Sequence, residues 1–138
     1  MQVTRRISCE TVGNNDLIDV TPQVAAAVAS AGVRDGLATV FVAGSTAGVT
    51  TIENEPGLVS DFKEFLEQLA PEDPAYLHNL TAGDANAHSH LRASLIGPSL
   101  TVPIENGQLT LGVWQQIVLI DFDVRARHRE LVVQLAGE

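Results

Sequence analysis

Basic residues are scarce in this sequence: 8 Lys and Arg stand against 17 Asp and Glu, a formal charge of −9. Nucleic-acid and anionic-membrane surfaces both rest on clustered Lys and Arg, so that balance argues against either partner. It leaves room for a small phosphorylated ligand, which a few local donors can hold. Cysteine occurs once, as Cys9, so no internal disulfide forms and a reducing compartment is consistent. Val3, Ile7 and Cys9 share one face of a period-two pattern, which makes Cys9 a buried, inert strand residue. No run approaches the roughly 20 apolar residues of a membrane span, and the first ten residues lack the apolar core of a signal peptide. A cytoplasmic location is expected. Internal repeats, linkers and low-complexity segments are also missing.

What is present is a chain of 138 residues, 45% hydrophobic and 18% charged. That composition describes one globular domain, residues 1–138, with a core of its own. Residues 2–10 alternate as a half-buried strand, and Gly13-Asn14-Asn15 is a turn before a short strand from Leu17 to Val20. Thr21-Pro22 reads as N-cap and first helical position, with Val24, Val28 and Ala31 on one face and Gly32 as the stop. Leu37 to Ala43 is nearly continuous apolar sequence, the pattern of a central strand covered on both faces. Val49 to Glu53 is a further strand. Pro56-Gly57 opens the strongest helix, where Leu58, Phe62, Phe65, Leu66 and Leu69 recur at three- and four-residue steps and Pro71 closes. Asn106-Gly107 between Leu100-Val102-Ile104 and Leu109-Leu111 marks a hairpin, followed by strands at Ile117–Ile120 and Arg127–Leu135. Strands joined mostly by turns predict an antiparallel α+β sheet or sandwich with two main helices and a short third one.

The chemistry concentrates between His78 and Ser99. Three of the four histidines lie here, beside Asp84 and Asn86, and histidine is the commonest transition-metal ligand and the natural proton carrier near neutral pH. If Asp84 or Asn86 caps a helix ending at Gly97-Pro98, His88, Leu91 and Leu95 share its inward side and His90 does not. If the segment is extended, His88 and His90 share a side and could chelate one ion. The absence of a period-two pattern from Leu91 to Ile96 favours the helix.

Three further groups accompany it. Gly44-Ser45-Thr46-Ala47-Gly48 is a small-residue turn whose hydroxyls and amides could hold a phosphate, although it lacks the lysine and spacing of a P-loop. Glu53 and Glu55 face the same way near a strand end, as a general base, as hard-metal ligands or, for Glu55 especially, as charge at the following helix N-terminus. Trp114 reads as core or subunit-interface packing, and one of Gln115 and Gln116 must point into a buried layer and find partners there. Arg125, Arg127 and Arg129 alternate as a solvated edge strand would, with phosphate binding as the second reading.

Taken in order, Thr46-Ala-Gly-Val-Thr50, Glu53-Asn-Glu-Pro-Gly57, Pro71-Glu-Asp73, His78-Asn79, Gly83-Asp-Ala-Asn-Ala-His88, Ala93-Ser-Leu-Ile-Gly-Pro-Ser99, Leu111-Gly-Val-Trp-Gln-Gln116, Phe122-Asp123 and Arg125 to Arg129 resemble the YjbQ-like family over nearly the whole chain. The resemblance implies an α+β protein with a β-sandwich core, assembled as a homotrimer with polar clefts near the subunit boundaries. It also implies secondary thiamine-phosphate synthase activity, in which a pyrimidine diphosphate is joined to a thiazole phosphate with loss of pyrophosphate, assisted by a divalent metal, Mg or Zn. On the matching positions, His78 and His88 would hold the ion. Glu53, His88 and Asn86 would be catalytic, Ser45, Thr46 and Gly48 would bind phosphate, and Trp114 and Gln115 would bind substrate. One position departs: where the family usually reads His-Thr-Thr-Ala-Gly, this chain has Gly44, so the third position falls to water, His90 or a carboxylate.

Overall fold

The structure, a computed structural model, describes residues 1–138. Two antiparallel sheets face each other. The larger has the strand order β1 (Gln2–Thr11), β8 (Arg127–Gly137), β3 (Gly36–Val42), β5 (Ser99–Glu105), β6 (Gln108–Leu109). The smaller is β2 (Asp16–Asp19), β7 (Gln116–Asp121), β4 (Ala47–Ile52). Four helices complete the fold: α1 (Thr21–Ala31), α2 (Pro56–Leu69), α3 (Leu77–Thr81) and α4 (Ala87–Ile96). The α+β class and the antiparallel sandwich are as expected. The fourth helix, α3, is not: it is a single five-residue turn with too few residues to show a hydrophobic period.

Strand parity places the core. Ala38, Val40 and Val42 of β3, Leu131, Val133 and Leu135 of β8, Ile117 and Leu119 of β7, and Val24 and Val28 of α1 are buried together between the sheets. The other face of β7, with Val118 and Ile120 followed by Phe122, packs against Leu66 of α2 and Ala93 of α4. β7 is therefore covered on both sides, which is why Ile117–Ile120 is continuously apolar. β3 differs. Its outward residues Leu37 and Phe41 are exposed, so the run from Leu37 to Ala43 has one covered face in the single chain.

Other local expectations shift. Thr21 is no cap: Asp19 accepts the Thr21 N–H at 2.9 Å, and the Thr21 hydroxyl accepts the Ile117 N–H at 2.8 Å, tying α1 to β7. Glu55 does cap α2, accepting from the Gly57 and Leu58 amides at 2.9 and 2.7 Å. In α4 the inward side carries His88, Ser89, Arg92 and Ala93, while Leu91 and Leu95 are exposed. Arg92 can be buried there because each of its three nitrogens donates: it reaches the Ala70 carbonyl at 2.8 and 3.0 Å, Glu67 at 2.7 Å and Asn15 at 3.1 Å.

Gly48 lets α4 lie against β4. A methyl group there would stand 2.9 Å from Ile96 Cγ2 and 3.0 Å from the Gly97 carbonyl oxygen. Gly48→Ala should push the end of α4 off the strand and cost about 1–3 kcal/mol, the usual range for overpacking. Urea unfolding checks this, and an unchanged midpoint would show that α4 has slack at Gly48.

Candidate functional site

The strand parities that build the core end in polar groups at one end of the sandwich. Thr11 continues the inward side of β1, Asp121 that of β7, and Arg129 that of β8, and all three are buried. Asp121 accepts from Arg129 Nε at 2.8 Å and Nη2 at 2.9 Å, from the Thr11 hydroxyl at 2.6 Å and from the Asp123 amide at 3.0 Å. Arg129 Nη2 also donates to the Thr46 hydroxyl at 2.6 Å, which donates onward to Asp123 at 3.2 Å. Asp123 further accepts from Arg127 at 2.6 and 2.9 Å, the Val124 amide at 2.8 Å and Asn86 Nδ2 at 3.4 Å. Burial alone would push both carboxyls up. The hydrogen bonds from Arg129 and Thr11 outweigh it for Asp121 and hold that carboxyl below the ordinary range. Those from Arg127, Val124 and Asn86 bring Asp123 down to about 2.

This network fixes the turn at residues 43–46 and the start of α4, and the histidines hang on both. His90 Nδ1 lies 3.1 Å from the Ser45 carbonyl oxygen, and His78 Nδ1 lies 3.4 Å from Asn79 Oδ1. The Asn79 amide has only one orientation, because its Nδ2 donates to the Asp73 carbonyl and its Oδ1 accepts the Ala87 N–H, each at 3.1 Å. Both imidazoles therefore face oxygens that can only accept. That geometry favours, in a neutral ring, the tautomer with its proton on Nδ1 and a lone pair on Nε2. The rings stand 4.7 Å apart, tilted by 54°. They line one cavity of about 320 Å³ with Tyr76, Leu77, Ala87 and Leu91. On the other side of the start of α4, a cleft of about 180 Å³ is lined by Asp84, Asn86, Asp123, Arg125 and Arg127, among others.

The sequence-derived candidates divide accordingly. His78, Ser45 and Asn86 lie at or beside these openings. His88 does not stand as His78's partner; His90 does. His88 is only 3% exposed, and burial first, then the nearby Arg92 guanidinium, lower its basicity. His88 Nδ1, Asn86 Oδ1 and Ser89 Oγ are buried without a partner in the chain. Thr46 spends its hydroxyl inside the network, and Gly48 is a packing position. Glu53 lies exposed on the β4–α2 connection, its carboxylate without a hydrogen bond. Trp114 is 74% exposed, which rules out core packing. Its turn is tied by side-chain hydrogen bonds: Gln115 accepts the Gly112 amide at 3.0 Å and donates to Thr51 at 3.2 Å, while Gln116 accepts from Asn54 at 2.9 Å and donates to the Val113 carbonyl at 3.3 Å. Both glutamines are thus satisfied locally, without a buried layer.

Arg129 does not lie on a solvated edge strand. β8 lies between β1 and β3, so it is an interior strand, and Arg129 turns inward to pair with Asp121. The available signal was parity: Asp121 is in step with Ile117 and Leu119, and Arg129 with Leu131 and Val133. No group of three or more His, Cys, Asp or Glu side chains is placed to hold a metal ion.

The family model described as UPF0047 protein YjbQ-like matches residues 5–138. The chain belongs to the YjbQ-like family. A UPF0047 protein of Methanothermobacter thermautotrophicus is 42% identical to this YjbQ-like chain over 135 residues, spanning 98% of it and 92% of the relative. Another from Archaeoglobus fulgidus is 39% identical over 129 residues, spanning 94% and 98%. Among solved structures, a YbjQ-like protein of unknown function from Sulfolobus solfataricus P2 superposes with a TM-score of 0.95 at 33% identity, covering 100% of this chain and 99% of that one. A hypothetical protein from Aeropyrum pernix K1 gives 0.92 at 34%, covering 99% of each.

A carboxyl depressed in the fold stabilises it above the unfolded pKa, and that stability is lost as pH falls through the folded value. Between about pH 4 and pH 2, protonation of Asp123 should therefore remove about 2 kcal/mol, a component that Asp123→Asn lacks in urea melts across that range. Arg129→Ala strands the Asp121 carboxylate and should cost about 3–5 kcal/mol, whereas Arg129→Met with Asp121→Asn should recover part of the loss. Equal destabilisation of single and double variants would contradict the pairing account.

Proposed function

We propose that this protein is an enzyme acting on a small phosphorylated metabolite, of the secondary thiamine-phosphate synthase type. The observation supporting the reading is a meeting of three segments. The turn at 43–46, the start of α4 and the β7–β8 connection come together around a histidine pair and an arginine-rimmed cleft, in a chain of the YjbQ-like family. In the reaction, the thiazole nitrogen attacks the methylene carbon of the pyrimidine, the bond from that carbon to the diphosphate oxygen breaks, and pyrophosphate leaves with the electron pair. Arg127 is anchored on Asp123 at one edge of the cleft, and Arg125 has no bond within the chain; in this reading both would meet phosphate oxygens. Ser45 presents its turn beside the imidazoles. A divalent ion, when bound there, would neutralise charge on the leaving diphosphate.

The site is completed, in this reading, by assembly as a homotrimer. Leu37 and Phe41 on the outer face of the larger sheet, and Val113 and Trp114 on their hydrogen-bonded turn, are the apolar surface such assembly would cover. Glu53 and Trp114, exposed in one chain, would then act at a boundary between copies.

A second reading, a non-catalytic trimeric protein that sequesters a phosphorylated metabolite or metal, is favoured by Gly44. Its φ of 127° is a backbone conformation that a histidine rarely adopts, and the Thr46 hydroxyl is committed to the network. The test is a turnover assay with both phosphorylated substrates and a divalent cation, run beside calorimetric titration. The enzyme reading predicts thiamine phosphate, with Arg125→Ala lowering kcat/KM about tenfold, the worth of one charged hydrogen bond, while the fold is kept. Saturable binding without product selects the second reading, and neither binding nor product contradicts both.

A further inference from the structure

We propose that the groove between β4 and β5 is a strand-addition site for an extended peptide with apolar side chains at alternate positions and basic ones between them. It shares no lining residue with the histidine cavity or the arginine-rimmed cleft. Unpaired backbone groups specify the occupant. Ile117, opposite Thr51, accepts the Val20 N–H at 2.9 Å and donates its own N–H to the Thr21 hydroxyl at 2.8 Å. Both bonds lie on the β2 side of β7, away from β4. Thr51 therefore has no backbone partner on β7, and its N–H and C=O turn to the open edge of β4. Val49, in step with Thr51, already uses that edge. Its N–H donates to the Gly97 carbonyl at 3.0 Å, a pairing that an added strand would continue.

The facing wall is also an edge. Val42 donates to the Pro98 carbonyl at 2.9 Å, so Leu100 and Val102 are the residues of β5 that bond to β3, while Thr101 and Pro103 point away. Proline is tolerated at such an unpaired position. β6 covers β5 only at Ile104 and Glu105. The cavity between the edges, about 330 Å³, is lined by Thr51, Thr101 and Gln115 and by Val49, Leu100 and Val102, among others, and by no charged side chain. Those last three belong to the main core or pack against it, so an added strand would set every second side chain on apolar surface. Glu53 and Glu105 stand exposed at the far ends of the two strands, and the chain carries a charge of −9, which favours basic residues on the outward side of the occupant.

The test is titration of the full-length protein with acetyl-Lys-Val-Lys-Val-Lys-amide by calorimetry and amide NMR. Saturable binding is expected, with a shift and slowed hydrogen exchange of the Thr51 amide. N-methylation of the inner peptide amides should weaken binding about tenfold, and so should Thr51→Pro, which removes the free donor at an edge that accepts proline. Thermal melts show whether that variant keeps its fold, and the N-methylated peptide tests the pairing on the unaltered protein. A peptide with Glu in place of Lys should bind about tenfold more weakly. No saturable binding, equal binding of the N-methylated or the glutamate peptide, or a Thr51 amide that a second copy already protects as protein concentration rises would overturn the proposal.

Discussion

Asp121 and Arg129 form a buried ion pair where the two sheets meet. A carboxylate and a guanidinium taken out of water are tolerable only when nearly every remaining lone pair and proton is satisfied. That demand recruits Thr11 from β1, Thr46 from the turn before β4, and the Asp123 amide beyond β7. The two sheets are thereby stapled at the end where their apolar core runs out. A sandwich closed by hydrophobic residues there would be as stable or more so. What the polar closure adds is position, because hydrogen bonds fix angles that apolar packing leaves loose.

Position is what the histidines need. Thr46, held by Arg129, sets the turn whose Ser45 carbonyl fixes His90. Asn86, held by Asp123, sets the start of α4, whose first amide orients Asn79 and so His78. The chain of cause runs from strand parity, through a buried ion pair, to the tautomers of two imidazoles about a shared cavity. Membership of the YjbQ-like family places the chain among proteins of the same fold, and the chemistry of this member rests on its own side chains.

Much of the fold was legible in the sequence wherever a period spans several residues. The alternation of Val3, Ile7 and Cys9, the helical spacing of Leu58, Phe62 and Leu66, and the Asn106-Gly107 hairpin each appear where expected. What alternation cannot reveal is a strand's neighbours. Arg129 read as a solvated edge because its sequence does not show that β1 and β3 flank it, and Leu37 and Phe41 read as covered because the run is equally apolar on both sides. The inward face of α4 was misplaced for a related reason. Arg92 is a surface residue by type, and only the Ala70 carbonyl, Glu67 and Asn15, distant along the chain, make its burial possible. Within the site, the concentration of histidines was visible, but pairing His78 with His90 depended on the α3 turn and on Asn79, a link that no periodicity signals.

Whether the fold imposes Nδ1–H tautomers on His78 and His90 is read most directly from a long-range proton–nitrogen correlation spectrum of the four imidazoles at pH 8 in the metal-free protein. Protonated Nδ1 and bare Nε2 are expected at both residues, opposite to the tautomer that free histidine side chains favour. A protonated Nε2 at either residue, with Nδ1 bare, would contradict that expectation.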